Sequence, residues 1–204
     1  MSAKRKYEQK ERAAKQEETR RRITEATVEL HREVGPANTT ISAVAERAGV
    51  QRLTVYRHFP EEADLLSACS AHWRAGHPIP DPAPWATIDD PEERLRTALG
   101  ELYAYYRGDD EMMANVRRDA PGIPALAALI GGLDGYFNAV QEILAAGWGV
   151  RGRRRALLLA ALAHVIEFET WRSLERRQGL DPDTALEVAV RAVRGAAAPT
   201  SSPA

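Results

Sequence analysis

Apolar positions along this chain recur every three or four residues, and no stretch alternates with the two-residue period of a strand, so the sequence predicts helices throughout. From Thr19 a stripe of Ile23, Ala26, Thr27, Leu30 and Val34 predicts a first helix, which Gly35 and Pro36 end. Ile41, Val44, Ala45 and Ala48 make a second, short stripe. Gly49 follows it, where a residue without Cβ can adopt the left-handed conformation that closes a helix. A third helix runs from about Gln51 to Phe59. Val50, Val55 and Phe59 face inward and Gln51, Arg52, Thr54, Tyr56, Arg57 and His58 face outward or sideways, while Leu53 is read both ways. A fourth, from Glu61 to about Ala75, carries Leu65, Leu66, Ala68, Cys69 and Trp73 on its apolar side.

Pro78, Pro80, Pro82 and Pro84 then exclude helix and predict extended chain. Asp90-Pro91-Glu92-Glu93 restarts a helix with a capping aspartate, a first-turn proline and acids at its positive end. That helix, Pro91 to Arg107, presents Leu95, Leu99, Leu102, Tyr103 and Tyr106 on one side. A short helix over 110–118 carries Met112, Met113 and Val116. Another, over 125–146, has a weak point at Gly131-Gly132. Arg153 to Arg177 reads as the longest helix, and Asp181-Pro182 caps a last one to about Arg194. The expected fold is all-α, divided into a charged N-terminal arm (1–18), a three-helix helix-turn-helix unit with its connector helix (19–75), a larger helical domain (76–195) and a disordered tail (196–204).

Composition narrows the class. Of 204 residues, 44% are hydrophobic, enough for a real core, yet no apolar run approaches the roughly 20 residues of a membrane span. The basic N-terminus is followed by no apolar stretch, so a secretory signal is not expected and the reading is cytoplasmic. The single cysteine, Cys69, excludes an internal disulfide. Charge is nearly balanced over the whole chain but unevenly spread: residues 1–60 hold 13 Lys or Arg against 8 Asp or Glu, the remainder 15 against 21. The basic end is therefore the nucleic-acid end.

Two short helices pinned by a tight turn, with small Ala45 and Gly49 at the crossing, form a helix-turn-helix pattern. A helix in the major groove meets base edges with its first turns and phosphates on its flanks. Arg52 suits guanine, Gln51 suits adenine, and Thr54, Tyr56 and His58 suit phosphate oxygens, as does Thr40 at the start of the preceding helix. Arg57 and Leu53 complete the DNA-facing set. Arg20, Arg21 and Arg22 cluster near the expected phosphate path, and Lys4, Arg5 and Lys6 either reach along the duplex or remain a solvated tail.

Thr40, Ala45, Ala48-Gly49-Val50, Thr54-Val55-Tyr56-Arg57-His58-Phe59 and Leu65-Leu66 together resemble the DNA-binding signature of tetracycline-repressor-type (TetR family) transcriptional regulators. The resemblance is close from about Thr19 to Trp73 and architectural beyond. Two positions depart from it: Gln51 stands where Ser is frequent, and Leu53 where a small residue or Pro is frequent. The resemblance implies a homodimer on an operator in double-stranded DNA, a connector helix between domains, and a small-molecule effector.

The penultimate helix reads as apolar on nearly all sides, through Leu157, Leu158, Leu159, Leu162, Val165, Ile166 and Phe168, so a second copy is expected to cover one face. The dimer set is Leu158, Leu162 and Val165, with Leu186 and Val190 from the last helix. Tyr103, Tyr106, Met112, Met113, Phe137, His164, Phe168 and Trp171 are expected to converge on an effector pocket, though each also suits ordinary core packing. No nucleophile elbow, phosphate-cradling glycine loop, HExxH or His/Cys cluster appears, and His164 with Glu167 and Glu169 falls short of a metal site, so neither catalysis nor a cofactor is expected. A DNA-binding protein without ligand control, or with a co-repressor, is the alternative.

Overall fold

A computed structural model describes residues 2–198, with side chains from residue 6 onward, and contains helices and no strands among them. The helices are α1 (Ser2–Glu33), α2 (Ile41–Ala48), α3 (Arg52–His58), α4 (Glu62–Gly76), α5 (Pro91–Gly108), α6 (Asp110–Asp119), α7 (Pro124–Gly131), α8 (Asp134–Ala145), α9 (Arg153–Val165), α10 (Phe168–Arg172) and α11 (Pro182–Ala197). Among the described residues, 2–78 and 110–131 form one compact unit; 79–109 and 132–198 form the other. Residues 110–131 were expected in the second domain. They join the first because α6 closes the C-terminal end of α1: Asn115 Nδ2 donates to the carbonyls of His31 (3.2 Å) and Arg32 (2.7 Å), Arg118 Nη2 donates to Val34 O (3.2 Å), and Asp119 Oδ2 accepts from Ala37 N (3.0 Å). Hydrogen bonding to the Arg118 guanidinium holds the Asp119 carboxyl below the usual carboxylate range.

In the N-terminal unit α1 carries two apolar faces. Ile23, Ala26 and Leu30 pack with Val44, Ala45, Ala48, Val55, Phe59 and Leu65, while Val28 packs with Cys69 and Met112. Val34, expected on the first stripe, lies past the helix and is exposed. The segment expected as a charged arm is helical, since α1 runs unbroken from Ser2; the roles given to Lys4 and Arg5 fall on side chains outside the described set. Burial pushes the Cys69 thiol up to about 12, which keeps it an unreactive core group.

In the second unit, Trp85 is fully buried below the proline-rich segment and donates from Nε1 to Glu101 Oε2 (3.0 Å). Asp90 caps α5 by accepting from Glu93 N (2.7 Å), as its position before Pro91 dictates. Arg94, 6% exposed, ties the loop before α5 to the end of α8, donating to Ile88 O (2.6 and 2.9 Å) and Ala146 O (2.7 Å). The single helix expected over 125–146 is broken after Gly131, at the expected weak point, into α7 and α8. The expected helix over 153–177 is also broken, because Glu167 takes an extended backbone and the segment Ser173–Arg177 is π-helical. Carbonyls released near the first break are met by α5: Tyr103 Oη donates to Val165 O (3.0 Å) and Tyr106 Oη to Ile166 O (2.5 Å). Ala196 and Ala197 complete α11, and residues 199–204 of the expected tail lie outside the described residues.

Candidate DNA-binding interface

Local chemistry builds the α2–α3 pair. Thr40 caps α2, its hydroxyl oxygen accepting from Ala43 N (3.1 Å), which leaves the O–H free to donate to a phosphate. At the other end Gly49 takes φ 63° and ψ 41°, with Gly49 N donating to Glu46 O (3.1 Å) and Val50 N to Ala45 O (2.9 Å), so the chain reverses within three residues.

Gln51, Arg52, Leu53, Tyr56 and Arg57 are exposed on α3 and its cap residue, Thr54 and His58 are half-buried, and Val55 and Phe59 are buried in the core. The sequence reading of an outward polar set and an inward apolar set thus describes the arrangement of α3, with one exception. Leu53 does not border the core: it is 75% exposed, the most exposed large apolar side chain described, because it stands two residues from Val55 and so on another face of the helix. Burial, reinforced by the charges of Arg57 and Arg20, lowers the pKa of His58 and favours its neutral form.

The arginines of α1 do something the sequence reading did not assign. Arg20 Nη1 donates to His58 O (2.8 Å) at the C-terminal end of α3, and its guanidinium carbon lies 4.1 Å from the Phe59 ring centroid. Arg22 donates to the carbonyls of Ala48 and Gly49 at the end of α2. Arg21 instead pairs along α1 with Glu18 and Glu25, and Arg47 ties α2 to Glu33 (2.8 Å) and Glu29 (3.3 Å). Guanidinium groups therefore satisfy carbonyls at the open end of both helices in the pair, where a positive charge also opposes the helix dipole. The spacing of two arginines on one helix was the available signal. A cleft of about 420 Å³ lies between α1 and the end of α3, walled by Gln16, Glu17, Arg20, Arg57 and His58.

The effector and dimer residues fare differently. Tyr103, Tyr106, Phe168 and Trp171 come together, all 0–1% exposed, with Tyr106 5.6 Å from Phe168 and 5.9 Å from Trp171 between ring centroids. Phe137 is half-buried and packs edge-on against Tyr136 at 5.2 Å. Met112 does not join them. It packs on Val28 and Cys69 in the N-terminal unit, where α6 also carries Met113. His164 is exposed, with Thr170 Oγ1 donating to its carbonyl (2.5 Å), because it lies at the end of α9 on the face away from Leu158 and Leu162.

For the dimer set a correction follows: Leu158, Leu162, Val165 and Val190 are 0–2% exposed within one copy, covered by their own unit, and Leu186 is half-buried. The outward row of α9 is Leu157, Ala160 and His164, and that of α11 is Val188 and Ala192. On the outer side of α9 alanine and a single exposed leucine, Leu157, made the helix look apolar all round, while its other large apolar side chains point into its own unit. Among the described residues no helix is long and apolar enough to cross a membrane, and no three His, Cys, Asp or Glu side chains gather in a way that could hold a metal ion.

A three-helix unit of this kind, with a capped helix, a glycine turn and a second helix polar on its open face, is a helix-turn-helix DNA-binding module. Residues 23–69 match the model of the bacterial regulatory proteins of the tetR family. It is 39% identical over 67 residues to the HTH-type transcriptional regulator SrpR of Pseudomonas putida, a stretch covering 33% of this chain and 30% of that protein. It is 37% identical over 67 residues to the HTH-type regulator TtgW, also of Pseudomonas putida, covering 33% and 48%. The matched stretch thus spans less than half of either relative. Over 87% of its length the chain also superposes on 94% of a TetR-like transcriptional regulator from Rhodococcus sp. RHA1, with a TM-score of 0.61 and 17% identity, a likeness of fold.

Proposed function

We propose that this protein is a dimeric transcriptional repressor, acting in the cytoplasm, that binds a palindromic operator through α3 and is released by a small molecule. The observation that carries the DNA-binding part is the face of α3: Arg52, Leu53, Tyr56 and Arg57 stand exposed while Val55 and Phe59 anchor the opposite side. Gln51 and Arg52 meet base edges, Leu53 meets an apolar edge, and Thr40, Thr54, Tyr56, Arg57 and His58 meet phosphates. Two copies joined through the outward rows of α9 and α11 would set two α3 helices about 34–36 Å apart, one turn of duplex.

Release by an effector draws support from the aromatic cluster of the second unit, where Trp171 Nε1 is a buried donor with no hydrogen-bond partner among the described residues. The chain passes between the two units at 78–79, 109–110 and 131–132, so α6, which holds the end of α1, is joined covalently to α5. A ligand that favours one arrangement of α5 shifts the population of DNA-competent protein through that join. The test selects binding duplexes from a random pool, then screens aromatic and cationic compounds for a raised melting temperature together with loss of operator binding. Failure to enrich any duplex sinks the DNA-binding reading. Compounds that bind and leave operator affinity untouched sink only the release step, and favour an unregulated or co-repressed DNA-binding protein.

A further inference from the structure

From Lys6 to Glu18 every residue of α1 is exposed, and the first fully buried side chain of the helix is Ile23. This stretch adds nothing to the core, and the reading above gives it no task. Helical spacing sorts its charges. Lys6, Gln9, Ala13, Gln16 and Arg20 follow one another at intervals of three and four, so they share one face, and that row holds no acid. Lys10 and Arg12 flank it on either side. Glu8, Glu11, Lys15 and Glu18 make the opposite face.

Two observations point to what the first face meets. Ala13, Gln16 and Arg20 wall the cleft whose other side is Arg57 and His58, so the face starts beside the end of α3 that is proposed to meet phosphates and continues outward from it. The cations along it are also available. Among the described residues Lys6, Lys10 and Arg12 have no ion-pair partner, whereas Lys15 pairs with Glu11 at 2.8 Å and Arg21 with Glu18 at 2.6 Å. Glu17 lines the cleft as well, an acid on the same side as Lys10. Lys6 stands about 21 Å along the helix from Arg20 at 1.5 Å per residue, the rise of about six base pairs of duplex.

We infer that the exposed first turns of α1 are a second DNA-binding surface, holding double-stranded DNA by its phosphates outside the base pairs that α3 meets, a role that rests on the DNA-binding reading of α3. Lys6, Lys10 and Arg12 neutralise phosphates and Glu17 opposes them. None of the four reads a base, so the surface lengthens the site without changing its sequence.

The test uses the full chain and one selected duplex, prepared with short flanks and with flanks longer by about six base pairs. Fluorescence anisotropy reads affinity against salt. Wild type should bind the long-flanked duplex more tightly. Lys6→Gln combined with Lys10→Gln and Arg12→Gln should erase that advantage, lower the log–log salt slope on the long-flanked duplex by about 2–3 and keep the order of preference among sequences. Its melting midpoint should equal that of wild type, because no core contact is touched. Glu17→Gln should tighten binding to every long-flanked duplex, and Lys15→Gln, on the opposite face, should leave the slope unchanged. The inference is overturned if flank length makes no difference to wild type, if the triple variant keeps the wild-type slope, or if Lys15→Gln lowers the slope as much per charge removed. A triple variant whose oligomeric state changes in light scattering also overturns it, since the face then serves a second copy. Each of these results leaves the selection of a duplex by α3 standing, whereas failure of wild type to select any duplex overturns both.

Discussion

Replacing Arg20 by Met keeps most of the side-chain stem and removes the guanidinium, and it decides between two roles for that residue. In the structure Arg20 donates to His58 O at 2.8 Å and lies 4.1 Å from the Phe59 ring centroid, half-buried against the end of α3. A hydrogen bond from a charged group contributes about 1.5–3 kcal/mol and a cation–π contact at a partly exposed site about 0.5–1. Because Arg20 is only half-buried, the lower ends apply, and Arg20→Met should cost about 2 kcal/mol. For a chain of 204 residues unfolding as a whole that lowers the melting midpoint by about 4–8 °C. Circular dichroism measures the midpoint, and fluorescence anisotropy with a selected duplex measures the dependence of affinity on salt. If Arg20 closes α3, the variant melts early, yet below its melting range the log–log salt slope stays that of wild type. If Arg20 is instead a phosphate contact, the slope falls by about 1 and stability barely changes. A midpoint within about 2 °C of wild type combined with a reduced slope would refute the capping account.

Three further outcomes are expected. The exposed Leu53 predicts contact with a thymine methyl: deoxyuridine placed at each thymine of the operator in turn should cost wild type about 1 kcal/mol at one position and Leu53→Ala nothing there, and equal losses in both proteins would remove Leu53 from base reading. Tyr106→Phe strips the donor from Ile166 O at the α9 break and should cost about 1–3 kcal/mol in urea unfolding, an expectation that fails if stability is unchanged. Burial lowers the His31 pKa from 6.5 to about 4, so between those values the unfolded chain binds more protons than the folded one, and stability rises with pH across the window and is lost as pH falls. The loss should reach roughly 3 kcal/mol at pH 4 and be absent in His31→Gln, as denaturant titrations from pH 7.5 to 4 will read.

What could be read from the sequence was what is decided within a few residues. Thr40 as a cap, Gly49 as a left-handed turn and Pro91 at a first helical position are local choices, and the α2–α3 pair and the start of α5 follow them. Features fixed by partners far along the chain were hidden. The break after Val165 depends on tyrosine hydroxyls about 60 residues away, and the assignment of α6 to the N-terminal unit rests on bonds spanning more than 80 residues. At the candidate DNA-binding face the outward polar residues of α3 were legible from helical spacing. Arg20 and Arg22 as closing groups were not, since a cluster of arginines beside a DNA-binding helix fits phosphate contact equally well until their acceptors are known.

Arg20 and Arg22 grip oxygen atoms of the main chain, and main-chain oxygens are the same whatever side chains surround them. The outer residues of α3 can therefore be exchanged for others without loosening the mount that aims the helix, provided Val55 and Phe59 remain below it. Under the proposed DNA-reading role of α3, a protein held in this way is suited to acquiring new target sequences by point changes at Gln51, Arg52 and Leu53 alone, and transplanting those three side chains from another reader of DNA is a modest alteration rather than a rebuilding.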